Sequence, residues 1–284
     1  MFICSSCSTT SAKWTGKCPT CGEWNTFVES AVQKWKSKVW NGKIIETRAL
    51  DPNPSQKGSE RYVSSSGELD MVLGGGLSAG SLVLLSGEPG IGKSTLALQM
   101  SEWYASRNQS VLYISGEEHI GQISARAIRL GVSHSNISLL TDSDFDSIFA
   151  TVERSIANII IIDSLSVLSS SSIEWSPGSI SQIRIMTEMC MNLAKKMQKS
   201  IILIGRVTKD GSIGWPKSLE HLVDVVLFLE GVRTENYRIL RALKNRFGPT
   251  DSVWLFRMEE NGLIDLPNPG LEFIDQESSV LSGS

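Results

Sequence analysis

Short apolar runs alternate along the chain with longer stretches of mixed character, and the two lengths predict different elements. Leu82–Ser86, Val111–Ser115, Ile159–Ile162 and Ile201–Ile204 are strand-sized runs, apolar at nearly every position. Such runs read as buried strands. Tyr237–Leu243 is also strand-like. The stretch from the glycine-rich segment at 87–92 to Ser106 and the stretch Ile183–Lys196 read as helices. No apolar run approaches the ~20 residues of a membrane-crossing helix.

At ~150 residues per domain, the 284 residues correspond to about two domains. Hydrophobic residues make up 41% and charged residues 20%, a balance that excludes wholesale disorder. The formal net charge of −3 creates no global field for nucleic acid. The charge is uneven, however. Residues 1–48 hold seven bases against three acids, and six acids without a base follow Arg257. A basic head suits local nucleic-acid contact and equally a solvated surface. Met1-Phe2-Ile3-Cys4 lacks the basic start and apolar stretch of a secretory signal, so a cytoplasmic location is expected.

Four of the five cysteines fall within the first 21 residues, as Cys4-x-x-Cys7 and Cys18-x-x-Cys21. Each pair can grip one edge of a metal, and together they close a tetrahedral thiolate site suited to Zn2+. Four protein ligands leave no position for water, so the expected zinc is structural and folds a segment too short to bury a core. Gly22 lets the chain turn round the metal. Two disulfides or a redox pair are the alternatives. Cys190, alone in a helical stretch, reads as a small buried hydrophobe. Trp14, Trp24, Trp35 and Trp40 lie among lysines, a pattern that suits stacking on bases or docking a partner. For Trp14 and Trp24 the expected role is to cover the zinc core. Residues 41–66 have the turn and loop chemistry of a linker.

Leu82–Ser86 runs directly into Gly87-Glu88-Pro89-Gly90-Ile91-Gly92-Lys93-Ser94-Thr95 and then a helix. This is GxxxxGKS in its strand–loop–helix context. Backbone amides curl round a phosphate, and the helix N-terminus adds partial positive charge. Lys93 is expected to reach the β- and γ-phosphates of ATP, and Ser94 to hold Mg2+. Three later runs end in polar residues: Glu117-Glu118, Asp163-Ser164 and Gly205-Arg206. Ligands of open α/β sheets bind beyond the carboxyl ends of parallel strands, so Lys93, Glu117, Asp163 and Arg206 are expected to converge. Asp163 after four isoleucines should hold magnesium through water. Glu117 is placed to orient or deprotonate the attacking water, with Glu118 as an adjacent candidate.

Further stretches carry a resemblance. Cys4–Cys21 with Gly22-Glu23-Trp24-Asn25-Thr26-Phe27, the phosphate loop, Tyr113–Glu118, Ile162-Asp163-Ser164, Pro177–Arg184, Val207–Gly211 and Lys244-Asn245-Arg246-Phe247-Gly248 occur in that order. On these, residues 1 to about 270 resemble the RadA (Sms) family of bacterial DNA-repair ATPases. The resemblance implies an α/β fold: a RecA-like P-loop ATPase core with a mainly parallel sheet, preceded by a small four-cysteine zinc module. The expected division is a C4 zinc finger at 1–30, a linker at 31–66, the ATPase domain at 67–270 and a tail at 271–284.

The family pattern implies a DNA-dependent ATPase of recombinational repair, a helicase-like motor promoting branch migration. Its implied partners are single-stranded and branched DNA and a RecA-type recombinase, and its implied assembly is a homo-hexameric ring. It assigns Glu117 as the catalytic glutamate and residues 169–182 and 207–217 as DNA-facing loops. Lys244 and Arg246 are expected at the subunit interface, contacting the neighbour's nucleotide as an arginine finger does. The chain departs from the family where Arg206 replaces a histidine and where Gly214-Trp215 precedes Pro216. The family's Lon-protease-like domain does not follow Ser284, as expected for a truncated or a naturally short form. A zinc-bearing nucleic-acid or protein adaptor with a slow nucleotide switch is the alternative function.

Overall fold

A computed structural model describes residues 2–7, 9–29, 60–173, 176–205, 220–231 and 236–266. The chain divides into two units, Met1–Pro54 and Ser55–Ser284. In the smaller unit, β1 (Phe2–Cys4) pairs antiparallel with β2 (Thr10–Ser11) and with β3 (Phe27–Glu29). Its buried core is Cys4, Cys18 and Phe27, with Phe2 and Cys7 packed against it. So little apolar burial cannot offset the entropy of ordering the segment, at about 1–2 kcal/mol per residue.

Trp14 and Trp24 do not cover this core. They are 54% and 67% exposed, which corrects the expectation from sequence. Phe27, Cys4 and Cys18 occupy the interior, and the indoles flank Gly16 on the outside. The Trp14 indole N–H donates to the Phe27 carbonyl at 3.2 Å, and the Lys17 ammonium stands 5.6 Å from the Trp24 ring centre. Trp35 and Trp40 lie outside the described residues.

The larger unit opens with β4 (Arg61–Tyr62), α1 (Gly67–Val72) and β5 (Leu77–Ser78), where β4 and β5 pair antiparallel. Residues 60–66, read from sequence as the end of a linker, pack within this unit. Ser64 and Ser66 are buried, and the Ser66 hydroxyl caps α1 by accepting the Leu69 N–H. The rest of the expected linker and the 271–284 tail lie outside the described residues.

The main sheet is built from β6 (Leu82–Gly87), β7 (Val111–Ser115), β8 (Ile137–Thr141), β9 (Ile159–Asp163), β10 (Ser200–Ile204), β11 (Val225–Gly231), β12 (Tyr237–Asn245), β13 (Val253–Glu259) and β14 (Gly262–Asp265). Their order is β14-β13-β12-β11-β6-β10-β9-β7-β8. The strands from β11 to β8 are parallel, and β12–β14 extend the sheet antiparallel. Helices α2 (Lys93–Ala105), α3 (Ile120–Arg129), α4 (Phe145–Arg154) and α5 (Ile180–Met197) complete the unit.

The unbroken apolar runs have a direct cause. Val83 and Leu85 of β6, Ile159 and Ile161 of β9, and Ile202 and Ile204 of β10 enter one core, with α1, α2 and α3. Leu82, Leu84, Ile160, Ile162, Ile201 and Leu203 enter a second core, with α4 and α5. Alternate residues of each strand therefore face different cores, and every position must be apolar. Cys190 of α5 is buried in the second core, where desolvation pushes its thiol up to about 12.

The antiparallel extension reads differently: Leu240 and Ala242 of β12 are buried, whereas Leu243 is 43% exposed. Among the described residues, no helix is long and apolar enough to cross a membrane.

Candidate active site and metal centre

The carboxyl ends of β6, β7, β9 and β10 open onto a cleft of about 480 Å³ lined by the phosphate loop, Glu117, Glu118, Arg126, Asp163 and Ile204. Local backbone geometry shapes the loop. A Cβ on Gly87 would stand 2.3 Å from the Leu229 carbonyl oxygen of the neighbouring strand, so only glycine fits. Gly92 enters α2 with φ +114°, in the left-handed region, and has no side chain to cap the helix. The first amides of α2 are thereby available to an anion.

Lys93 is buried, and its ammonium donates to the carbonyls of Gly87 and Glu88, both at 2.8 Å. It is thus held inside the curl of the loop, where phosphate charge would be met.

Asp163 ends β9 and accepts the Tyr113 hydroxyl at 2.8 Å. Burial lifts the Asp163 carboxyl above the usual range, opposed by hydrogen bonds from Ser94 and Tyr113. Burial, and then the Asp163 charge, hold the Tyr113 hydroxyl well above its ordinary value, so it remains a donor. The Ser94 hydroxyl and the Asp163 carboxylate form an all-oxygen donor set of the kind magnesium takes.

The two adjacent glutamates are treated differently. Glu117 is exposed and accepts the Ser164 hydroxyl at 3.3 Å. Glu118 forms an ion pair with Arg126 of α3. The sequence marks Tyr113 and Ser164 only as members of longer stretches, and does not mark Arg126 at all. Strand alternation places Tyr113 on the face of Ser115 and offers a partial signal. Nothing local marks Arg126, eight residues beyond Glu118.

Lys244 and Arg246 do not line this cleft. They stand where β12 ends against the start of β11, with Asn245 opposite Val225. Lys244 donates to the carbonyls of Glu220 and Val223, both at 2.7 Å, and Arg246 pairs with Asp224 at 3.2 Å. Asp224 in turn bonds Leu82, at the amino end of β6. From Leu82 to Gly87 the strand rises roughly 16 Å at ~3.3 Å per residue, so these cations stand at the far edge of the sheet from the phosphate loop of their own chain. Arg206, Trp215 and the expected loop 207–217 lie outside the described residues.

The serine-rich segment after β9 is internally engaged. Hydroxyls of Ser170, Ser171 and Ser172 donate to Asp146 at 2.8, 3.1 and 2.7 Å, joined by two backbone N–H groups. Ser172 foremost, with Ser170 and Ser171, holds the Asp146 carboxyl down at about 2. These donors, expected to face a phosphate chain, are satisfied within the molecule.

In the smaller unit the four cysteine sulfurs lie within 4.8 Å of one another. Cys4 and Cys21 are 3.7 Å apart and Cys7 and Cys18 3.6 Å, far longer than a disulfide bond. Sulfurs at ~2.3 Å from a central zinc stand about 3.8 Å apart, so the cluster fits a tetrahedral ion. The Thr26 hydroxyl, 3.2 Å from Cys4 Sγ, brings that thiol down to about 6. Gly22, at φ +76°, turns the chain behind Cys21.

Comparison with known proteins finds a family match in each of the two units. The rubredoxin metal binding domain family matches residues 2–29, and the AAA domain family matches residues 59–212. The DNA repair protein RadA of Bacillus subtilis is 42% identical over 288 residues, covering 100% of this chain and 63% of the relative. RadA of Chlamydia muridarum is 41% identical, with 100% and 62% covered. RadA of Aquifex aeolicus is 40% identical, with 98% and 62% covered. The chain therefore spans somewhat under two thirds of these relatives' length.

Among solved structures, a KaiC-like protein from Pyrococcus horikoshii aligns with a TM-score of 0.62 at 20% identity, covering 74% of this chain and 100% of that one. A second solved chain, itself an ATPase domain, aligns with a TM-score of 0.63 at 17% identity, covering 75% and 93%. These two likenesses concern the fold alone. With more than half of its residues matched and a strand–loop–helix phosphate cradle at the carboxyl end of its central strand β6, the chain belongs to the AAA domain family of RecA-like ATPases and is similar over its length to the RadA DNA repair proteins.

Proposed function

We propose that this chain carries the ATPase of a DNA-dependent, helicase-like motor that promotes branch migration in recombinational repair. The reading rests above all on one observation: Lys93, Ser94, Asp163 and Glu117 line a single cleft at the strand ends. The loop residues Gly87, Glu88, Pro89, Gly90, Ile91, Gly92 and Thr95 wrap the phosphates of ATP, and Lys93 neutralises their charge. Ser94 and Asp163 would hold Mg2+, which would supply neutralisation of charge developing on the phosphates. Glu117 orients the attacking water and takes its proton, with Ser164 steadying its carboxylate. Lys244 and Arg246 act on the nucleotide of the next subunit in a homo-hexameric ring. Their distance from the chain's own loop supports this assignment.

Cys4, Cys7, Cys18 and Cys21 hold a structural Zn2+ that folds the module of residues 1–30. The ATPase domain runs from 67 to 270, with residues 60–66 packed onto it. Single-stranded and branched DNA and a RecA-type recombinase are the proposed partners, in the cytoplasm. The adaptor with a slow nucleotide switch is favoured by one observation: the exposed Trp14 and Trp24, with Lys17 beside Trp24, suit docking without any turnover.

The deciding experiment is ATP turnover with and without single-stranded DNA, on protein of measured oligomer size. Stimulation by DNA in a ring supports the motor. Nucleotide binding with slow, DNA-independent turnover supports the adaptor.

A further inference from the structure

We infer that Arg126 is a positioning residue of the nucleotide cleft: by pairing with Glu118 it withdraws that carboxylate and assigns the attacking water to Glu117. The inference rests on the ATPase reading above. The sequence places two glutamates side by side at the end of β7, and either has the chemistry of a general base. The fold breaks the tie. α3 begins at Ile120, and its second turn carries Arg126 back to Glu118. The pair is mostly buried, with side chains 20% and 32% exposed.

Three carboxylates, Glu117, Glu118 and Asp163, share this cleft with the site proposed for the triphosphate. Among the described residues, Lys93 and Arg126 are the cations that line it. A guanidinium is always charged and holds a carboxylate in a fixed plane, so it suits a permanent partner better than a titrating one. Arg126 NH1 and Glu118 Oε2 are buried with no further hydrogen-bond partner among the described residues. The two groups thus rely on each other, and removing the cation strands a charge beside Asp163.

The test uses the full chain, Mg2+ and a fluorescent ATP analogue, with turnover measured in parallel. Wild type binds the analogue and Lys93→Ala does not; if the two bind alike, the ATP-site reading itself fails. One uncompensated charge in the cleft corresponds to about a tenfold loss of affinity for Arg126→Gln.

The double variant Arg126→Gln/Glu118→Gln regains affinity to within about threefold of wild type, since both charges are gone. Arg126→Lys keeps the charge and stays close to wild type in binding. If Arg126→Gln fails to fold, the double variant and Arg126→Lys carry the test. A double variant as weak as Arg126→Gln would overturn the inference in favour of direct contact between Arg126 and the nucleotide. Turnover lost in Glu118→Gln but kept in Glu117→Gln would overturn it outright.

Discussion

Arg246 is bound twice by Asp224: its guanidinium donates to the carboxylate at 3.2 Å and its backbone N–H to the carbonyl at 3.1 Å. The same carboxylate accepts the Lys195 ammonium at 2.9 Å and the Leu82 N–H at 3.1 Å, and its side chain is only 3% exposed. Asp224 therefore joins β6, α5 and the turn after β12. The partners are unequal, because Lys195 and Arg246 are about half exposed and can be resolvated.

Asp224→Ala should accordingly cost about 3 kcal/mol, through an orphaned buried amide and two unpaired cations, whereas Arg246→Ala should cost about 1 kcal/mol or less. Urea unfolding midpoints of the two variants check this. Equal costs would mean that the carboxylate does not organise this edge.

Zinc removal should unfold the small unit and leave the large one intact. The core of Cys4, Cys18 and Phe27 is too small to hold the module without the metal. Elemental analysis should give one zinc per chain, lost in Cys18→Ser. A chelator should abolish amide-exchange protection of β1 and β3 while that of β6, β9 and β10 persists. Zinc-free protein with the four thiols paired as disulfides would show that the metal reading is wrong.

Turnover should depend on two chains. Lys93→Ala removes the charge that meets the phosphates, and Arg246→Ala removes the cation offered to a neighbour. Each should lower ATPase activity by at least about a hundredfold. Mixed in one ring, some sites combine an intact phosphate loop with an intact Arg246, and activity should return. No recovery, with subunit exchange shown independently, would place Arg246 outside the reaction.

Asp265 should make stability pH-dependent. Burial foremost, with the nearby Glu68 charge, raises its carboxyl to about 6 against the Ser66 hydrogen bond, and its Oδ1 is buried with no hydrogen-bond partner among the described residues. The folded chain therefore holds the proton more tightly than the unfolded chain. Its contribution is fully present below about pH 4 and is lost as pH rises through 6. Asp265→Asn should flatten this dependence and stabilise the protein at pH 7.5 by about 1 kcal/mol, discounted for partial solvent access. Denaturant midpoints between pH 5 and 8 measure it. A wild-type midpoint that rises across that range would contradict the assignment.

What depends on local chemistry and spacing was legible in the chain alone. The cysteine pairs, the glycine-rich loop between strand and helix, and Asp163 after four isoleucines are each encoded within a few consecutive residues, and the apolar runs are unbroken because each strand feeds two cores. The pairings that join distant segments came only with the folded chain. Asp224 meets Leu82 across 142 positions, and the Gln99 amide accepts the Leu263 N–H and donates to its carbonyl across 164, at 2.9 and 3.0 Å. Folding also set the ion pair that separates Glu118 from Glu117, and the exposure of Trp14 and Trp24. An ion pair or a buried amide needs only compatible chemistry from each partner. Which partners meet is fixed by the order of strands in the sheet, and that order is a property of the whole chain packing at once.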